Sequence, residues 1–464
     1  MAHSENLRQW VHVGSGAFAL ILRVLTGWQA AALAAAALVF NAVLLPHIGG
    51  RRLYRPVDEA RGFPLGILLY PLAVLLLTLA FPSRLDIVAA AWGILAFGDG
   101  AATLVGRAAS TTIDAERAEH AEPGLSAASA LIRRRLPWNR DKTVAGTTAF
   151  IVFGSAAAVA LLWWTRPAVT PLPPMAFVVF APLAATILAA LVETIPVRLD
   201  DNLSVPATAG AVLWVASVMS AASVAAAGDT VAAALPWAVG VNILTAALGY
   251  AARSVSLSGA IGGAVVGTII YAGGGAGAWA LLFATFLVAS ITSRLGLKRK
   301  ILLGIAEERG GRRGAGNAFA NCGVAAVAAI LAATTPHAPA ALIAIVAALT
   351  AGGSDTVASE IGKAWGRSTF LVTTFSRVTP GTPGAMSVEG TAAGLLSAFA
   401  LAALGAALGL MPAPLIPAVV AGATAGALVE SALGATLEGP GILNNDMLNF
   451  INTAVAAAVT LAIA

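Results

Sequence analysis

The stretch VETIPVRLDDNLSVP, residues 192–206, places Glu193, Asp200, Asp201 and Asn202 between two long apolar runs. Only 11% of the chain is charged, so three carboxylates and an amide at one membrane edge call for a ligand that offsets their desolvation. A divalent cation on a phosphate-bearing substrate is such a ligand. Phosphoryl transfer asks little covalent chemistry of a protein. It asks for in-line positioning and neutralisation of phosphate oxygens, usually by Mg²⁺ held through one or two carboxylates with cations or backbone amides nearby. Asp99, with the pair Asp200 and Asp201, supplies candidate metal ligands, and Lys142 can reach phosphate oxygens. Gly146 and Thr147 stand where a helix begins, and free N–H groups there favour phosphate. Either Asp99 or Asp200 could take the proton of an attacking hydroxyl.

The arrangement recurs. GDGAATLVG (98–106), DKTVAGT (141–147) and ETIPVRLDDNL (193–203) are followed, in the same order, by GGSDTVASEIGK (352–363), MSVEGTAAG (386–394) and ESALGATLEGPGILNNDMLNFIN (430–452). Each set runs from Gly/Asp at a helix end, through a Gly-Thr helix start, to Glu and an Asp/Asn cluster, and such duplication often marks the halves of a membrane protein. In the second set Asp355 and Asp446 are the candidate metal carboxylates, with Asn445 and Asn449 as neutral partners. Between them lies TTFSRVTPGTPGAMSVEGT, in which Thr379, Gly381, Thr382, Gly384, Gly390 and Thr391 surround or follow Arg377 and suit a phosphate-wrapping loop. Asp355, Ser359, Glu360 and Lys363 fall at helical spacing and can face one cavity. Carboxylates within or beside apolar spans, here Asp99, Glu193, Asp355 and Glu430, default to a functional reading.

Duller readings stand beside these. Gly98, offered as a phosphate contact, is equally placed for close helix packing, as are Gly106, Gly259, Gly263 and Gly267. Arg133 to Arg135 and Lys298 to Lys300 read as inner-face anchors, His120 and His337 as loop residues, and Glu116, Glu119 and Glu122 as a solvated face.

The elements that must hold these residues follow from composition. The chain is 58% hydrophobic with mean hydropathy +0.86, and apolar runs of roughly 17 to 25 residues, enough for a hydrocarbon core of about 30 Å, recur throughout. Continuous runs predict spanning α-helices and not barrel strands. The expected class is an all-α polytopic membrane protein with about fifteen spans, among them 13–26, 205–227, 231–252, 256–272 and 274–292. With a cytoplasmic N-terminus, only Arg23, Arg84 and Arg166 of the 27 basic residues fall on the outer side. That asymmetry predicts a multi-pass protein of the cell membrane with both polar clusters on the cytoplasmic side. The net charge of +5 is therefore a topology signal, and a nucleic-acid partner is not expected. Cys322 stands alone, which excludes an intrachain disulfide, and no cleavable signal is evident. The repeat predicts two related domains, 1–230 and 231–464.

GDGAATLVGR, PWNRDKTVAGT and E-x-I-P-V-x-x-D-D-N-L-x-V-P resemble the phytol kinase and dolichol kinase (polyprenol kinase) family. The opening LRQWVHVGSG is similar to that family's R-K-x-x-H-x-x-x-G, with Gln9 at a usually basic place. RRGAGNAFANCG, GGSDTVASEIGK, TTFSRVTPGTPGAMSVEGT and NNDMLNFINT resemble the phytyl-phosphate kinase, or transmembrane protein 19, family. The resemblance implies a fusion of consecutive kinases: the first phosphorylates an isoprenoid alcohol such as phytol, the second its monophosphate, with CTP or UTP as donor and Mg²⁺ as cofactor. By position it assigns Asp99, Lys142, Gly146, Glu193, Asp201 and Asn202 to the first site. To the second it assigns Asp355, Glu360, Lys363, Arg377, Gly381, Glu389, Glu430, Asn445, Asp446 and Asn449. Two other readings are a nucleotidyltransferase acting on a lipid phosphate, which releases pyrophosphate, and a transporter built from repeats. One half could also be an inactive scaffold, and the oligomeric state is open.

Overall fold

Apolar runs interrupted by capping residues, proline and glycine form helices throughout the computed structural model. It describes residues 5–48, 53–54, 58–59, 62–118, 135–136, 139, 141–194, 200–305 and 312–464. Glu119, His120, Glu122, Arg133 and Arg134, the side chain of Glu116 and residues 195–199 of the acidic stretch lie outside what is described. The chain divides into two compact units, Met1–Val218 and Met219–Ala464.

The first unit contains α1 (Glu5–Ser15), α2 (Gly27–Val39), α3 (Leu65–Ala80), α4 (Leu85–Gly93), α5 (Gly100–Ala118), α6 (Val144–Thr165), α7 (Met175–Thr194) and α8 (Asp201–Val218). A π turn, Ile94–Asp99, joins α4 to α5. Ile87 to Ala91 and Ile94 to Ala96 are fully buried, so this composite helix is the core around which α6, α7 and α8 pack. At its far end Arg84 forms a two-pronged pair with buried Asp86 at 3.0 and 2.9 Å. At the matching end of α6, the Arg23 guanidinium lies 4.2 Å over the Trp164 ring, and Trp164 Nε1 donates to Leu20 O at 2.9 Å.

The second unit contains α9 (Ala221–Ala251), α10 (Leu257–Arg294), α11 (Leu297–Leu302), α12 (Ala315–Thr334), α13 (Ala338–Trp365), a hairpin of β1 (Thr369–Leu371) and β2 (Ala385–Ser387), α14 (Val388–Ala407), α15 (Ile416–Leu433) and α16 (Asn445–Ile463). β1 and β2 pair antiparallel, Phe370 opposite Met386. α13 is the buried centre, with Ile345 to Ala348 fully enclosed.

Among the described residues eleven helices are long and apolar enough to cross a membrane, fewer than the fifteen expected. The protein is an integral multi-pass helical protein. The expected span 13–26 is instead the end of α1 and a 3₁₀ helix, Gly16–Arg23, too short to cross. The pair 256–272 and 274–292 stands as two helices within α10, parted at Gly275, whose φ of +81° suits glycine. Before the break, Gly259 and Gly273 lie against Arg313 and Ala329 beside α12; after it, Thr285 lies against Gly353 and Gly296 against Ala364, both partners on α13. The expected loop at Gly228 and Asp229 is helical inside α9. The break falls earlier, at Ser220, whose hydroxyl caps α9 by accepting from Ser223 N–H at 3.0 Å, because one Gly and one Asp in an Ala-rich run cost less than ending a helix.

Candidate functional site

In the first unit four helix ends converge. The wide π turn carries Asp99, and such turns concentrate at functional sites. Glu193 lies in the last turn of α7 and Asp201 opens α8. Lys142 precedes α6, whose cap Thr143 accepts from Gly146 N–H at 3.1 Å. Carboxylate oxygens of Asp99, Glu193 and Asp201 lie within 4.8 Å of one another. Lys142 Nζ donates to Glu193 Oε1 at 2.5 Å and to Asp201 Oδ2 at 3.0 Å. Burial works against the Lys142 charge, but Glu193 and Asp201 outweigh it and raise its pKa. Burial pushes Asp201 above the usual carboxylate range, with Lys142 opposing. Three carboxylates around one ammonium leave a net negative pocket that suits a divalent cation beside phosphate.

His12 is the residue sequence reasoning left out of this site. Its Nε2 donates to Leu95 O at 3.1 Å and lies 3.5 Å from Asp99 Oδ2. Tyr70 meets the imidazole edge-on at 4.6 Å, held in turn by Trp92 Nε1 donating to its hydroxyl at 2.8 Å. The signal was present: Arg8, His12 and Gly16 fall at i, i+4 and i+8 on one face of the first helical segment. Asp200 serves the helix start, its carboxylate accepting from Asn202 N–H at 3.0 Å and from Asn202 Nδ2 at 2.8 Å.

In the second unit a pocket of about 1000 Å³ opens between α13, α14, α15, α16 and the 380–387 segment. It gathers Asp355, Ser359, Lys363, Glu430 and Asn445 with Gly381, Thr382, Gly384, Gly390 and Thr391, and adds Glu438. Asp355 and Glu430 interact directly. Gly381 and Gly384 have φ of +91° and +71°, and a Cβ on Gly384 would stand 2.2 Å from Ala435 N, so the loop needs glycine to lie on α15's end.

Several expectations shift. Glu360 is buried away from the pocket, ion-paired with Lys300, and Lys363 Nζ lies 3.5 Å from its other oxygen. Lys300 is accordingly no surface anchor: it is 1% exposed and also donates to Ser293 O at 2.7 Å. Arg377 is exposed in a bridge to Phe370 and does not line the pocket, nor does Thr379, which holds Thr382. Glu389 accepts from Arg367 N–H at 3.2 Å. Asp446 stands beside Gly316 on α12 and Asn449 is buried, so Glu430, and not Asp446, faces Asp355 in the pocket. Gly98 packs on Phe150 and Gly154. The Gly146 and Gly390 amides are already taken by Thr143 and Ser387, and Thr147 Oγ1 donates back to Thr143 O at 3.2 Å, so these groups shape helix starts and do not offer free donors.

The two units share a frame. Thr143 caps Gly146, which approaches Ala102 O and Gly106 Cα; Ser387 caps Gly390, which approaches Ala358 O and Gly362 Cα. Asp99, Ala102 and Gly106 keep the spacing of Asp355, Ala358 and Gly362. Asn202 abuts Gly66 as Asp446 abuts Gly316, which pairs Asp201 with Asn445. The spans carrying Asp99 and Asp355 are the most enclosed, 67% and 72% buried, against at most 44% for any other.

These features define a helical integral membrane protein whose most buried spans carry carboxylates beside capped helix starts. Residues 240–457 match the family described as integral membrane protein DUF92, and the chain belongs to it. It is 41% identical over 202 residues to the uncharacterized membrane protein sll0875 of Synechocystis, covering 43% of this chain and 78% of that one. It is 35% identical over 233 residues to the chloroplastic protein VTE6 of Arabidopsis thaliana, covering 48% and 70%. It is 34% identical over 207 residues to the uncharacterized membrane protein MJ0933 of Methanocaldococcus jannaschii, covering 45% and 84%. No solved structure matches the chain.

Proposed function

We propose that the protein is a fused isoprenoid salvage kinase: a polyprenol kinase-like domain converts an isoprenoid alcohol such as phytol to its monophosphate, and a phytyl-phosphate kinase-like domain converts that to the diphosphate. The observation that carries this reading is the shared frame, with an acidic cluster set beside capped helix starts in each unit. The likeness to VTE6 and the motif resemblance to phytyl-phosphate kinases support the second activity. In the first unit Lys142 orients phosphate oxygens, and Asp99 accepts the proton as the alcohol oxygen attacks the terminal phosphorus. The bond to the bridging oxygen breaks and the nucleoside diphosphate leaves. In the second unit the acceptor is already an anion near neutral pH. It needs no base, and Lys363 and the 380–387 segment neutralise and position the donor's phosphate groups. Asp201 and Glu193 in the first site, and Asp355 and Glu430 in the second, have the donor chemistry to hold Mg²⁺, which when bound would neutralise the phosphate oxygens. CTP or UTP is the donor that the resemblance implies, delivered from the cytoplasmic side.

The test is an assay of purified protein in detergent with phytol or phytyl monophosphate, Mg²⁺ and CTP, UTP or ATP. Wild type should make the diphosphate. Asp99→Ala should make nothing from phytol yet still convert the monophosphate, and Asp355→Ala should stop at the monophosphate. Pyrophosphate release would point to nucleotidyl transfer, and no lipid product across a panel of isoprenoids sinks the kinase reading.

A further inference from the structure

The motif RRGAGNAFANCG takes no part in either acidic site, yet it forms one wall of a separate cavity in the second unit. This cavity lies between α9, α10 and α12 and, counted with the open space at its mouth, encloses about 950 Å³. One side is aromatic. Trp279 and Phe283 stack with centroids 5.4 Å apart and planes 8° from parallel, and Phe286 continues the surface. The wall is pinned by polar contacts: Trp279 Nε1 donates to Asn242 Oδ1 at 3.1 Å, and Asn242 Nδ2 donates to Ala238 O at 2.8 Å. Arg313, which precedes α12 and donates from Nη2 to Ser293 Oγ at 3.3 Å, lines the cavity too, with Asn317 and Asn321 one helical turn apart along α12. Arg313 is the one charged residue among the described residues that line it, so the chemistry favours an anionic head on an apolar body.

The cavity and the acidic pocket meet the same stretch of α13. Gly352 lines the cavity and Asp355 lines the pocket, about 4.5 Å apart along the helix. Asn321 closes the space between α12 and α13, its Oδ1 3.1 Å from where a Cβ on Gly352 would stand. We infer that this aromatic cavity binds the chain of a prenyl monophosphate, with Arg313, Asn317 and Asn321 holding its phosphate one turn of α13 from Asp355. The inference rests on the proposed kinase reading for its choice of ligand. The apolar wall supplies affinity without sequence demands, and Arg313 separates the monophosphate from the free alcohol. Gly263 also lines the cavity, and nothing lies within 4 Å of its Cβ position, so a side chain there enters open space.

The experiment is photo-crosslinking of the full-length protein with a diazirine-bearing farnesyl monophosphate, adducts being mapped by mass spectrometry. Adducts should fall within residues 279–286 and 313–322. Phytyl monophosphate should compete them away, while phytol, inorganic phosphate and phosphatidic acid should not. Gly263→Phe should abolish these adducts and raise KM for phytyl monophosphate about tenfold or more. Equal competition by phytol or phosphatidic acid, or adducts elsewhere, overturns the inference. Crosslinking here without turnover supports this site and defeats the kinase reading; turnover with KM unmoved by Gly263→Phe defeats this site and leaves the kinase reading standing.

Discussion

The two acidic sites differ most where their backbones agree best. In each, a Ser or Thr caps a helix whose third residue is a glycine pressed against an Ala carbonyl and a second glycine. The residue just before the cap is Lys142 in the first unit and Met386 in the second. Lys142 bridges Glu193 and Asp201, whereas Asp355 and Glu430 meet each other, with Lys363 on α13 in the same pocket. Contacts made by main chain tolerate few replacements, so they recur; side-chain charge can move to a different helix once the frame is fixed. The comparison also fits the acceptors proposed for each. A neutral alcohol has a proton to lose, and its site carries three carboxylates around one ammonium. A monophosphate has none to lose near neutral pH, and its pocket spreads Asp355, Glu430 and Glu438 more widely around Lys363.

Removing the lysine is the sharpest way to break the comparison. Lys142→Met copies the second unit's residue into the first and leaves Glu193 and Asp201 unpaired. Conversion of the alcohol should fall by roughly 10² to 10³, the usual cost of losing a charge stabiliser, while conversion of the monophosphate is unchanged. The same variant sharpens the electrostatics. Asp201 already sits above the usual carboxylate range because it is buried, and Lys142 holds it down. Only its charged form pairs with Lys142 or a metal, and that form is lost as pH falls through the pKa. Residual alcohol kinase activity in Lys142→Met should therefore fail at a higher pH than wild type on the acid side of a rate profile, and an unmoved acid limb removes Asp201 from the mechanism.

The glycines come next. A Cβ on Gly390 would stand 2.4 Å from Ala358 O, whereas one on Gly146 would stand 3.0 Å from Ala102 O. Gly390→Ala should cost about 1–3 kcal/mol and Gly146→Ala distinctly less, read as loss of melting temperature in detergent. Equal costs would show that the two frames are not as alike as their contacts suggest. The smallest effect belongs to the caps. Thr143→Ala and Ser387→Ala should each cost about 1 kcal/mol, with Thr143→Ala lowering alcohol kinase rate and Ser387→Ala monophosphate kinase rate, so a cross-effect would break the assignment of one cap to one site.

Much of this was legible in the sequence because carboxylates are rare and costly in an apolar chain. Asp99, Lys142, Glu193 and Asp201 stand out on residue type, and the structure brings them together. The helical class follows from continuous apolar runs. The residues that were missed or misplaced depend on partners distant in sequence. His12 reaches Leu95 and Asp99 across more than eighty positions. Lys300 looks like one more basic residue of LKRK until Glu360 is found against it. Asp446 and Glu430 are both acids near a helix end, and only the packing of α16 on α12 decides which faces Asp355. The expected span 13–26 fails because the apolar run after Ser15 winds into a short 3₁₀ helix, Gly16–Arg23, a choice of local hydrogen bonding that hydropathy does not report.

The end of α6 opposite the acidic cluster, where Arg23 lies over Trp164, ties the protein to the thickness of its membrane. α6 has 22 residues, or about 33 Å of rise, between the Thr143 cap and that aromatic clamp, against a hydrocarbon core of about 30 Å. With one end clamped, a thinner bilayer is met by tilt or by local distortion of lipid, at fractions of a kcal/mol per Å. The capped end has little room to give, since a Cβ on Gly146 would stand 3.0 Å from Ala102 O. Lipid acyl-chain length therefore becomes a variable that acts on the Lys142 cluster from the far side of the membrane.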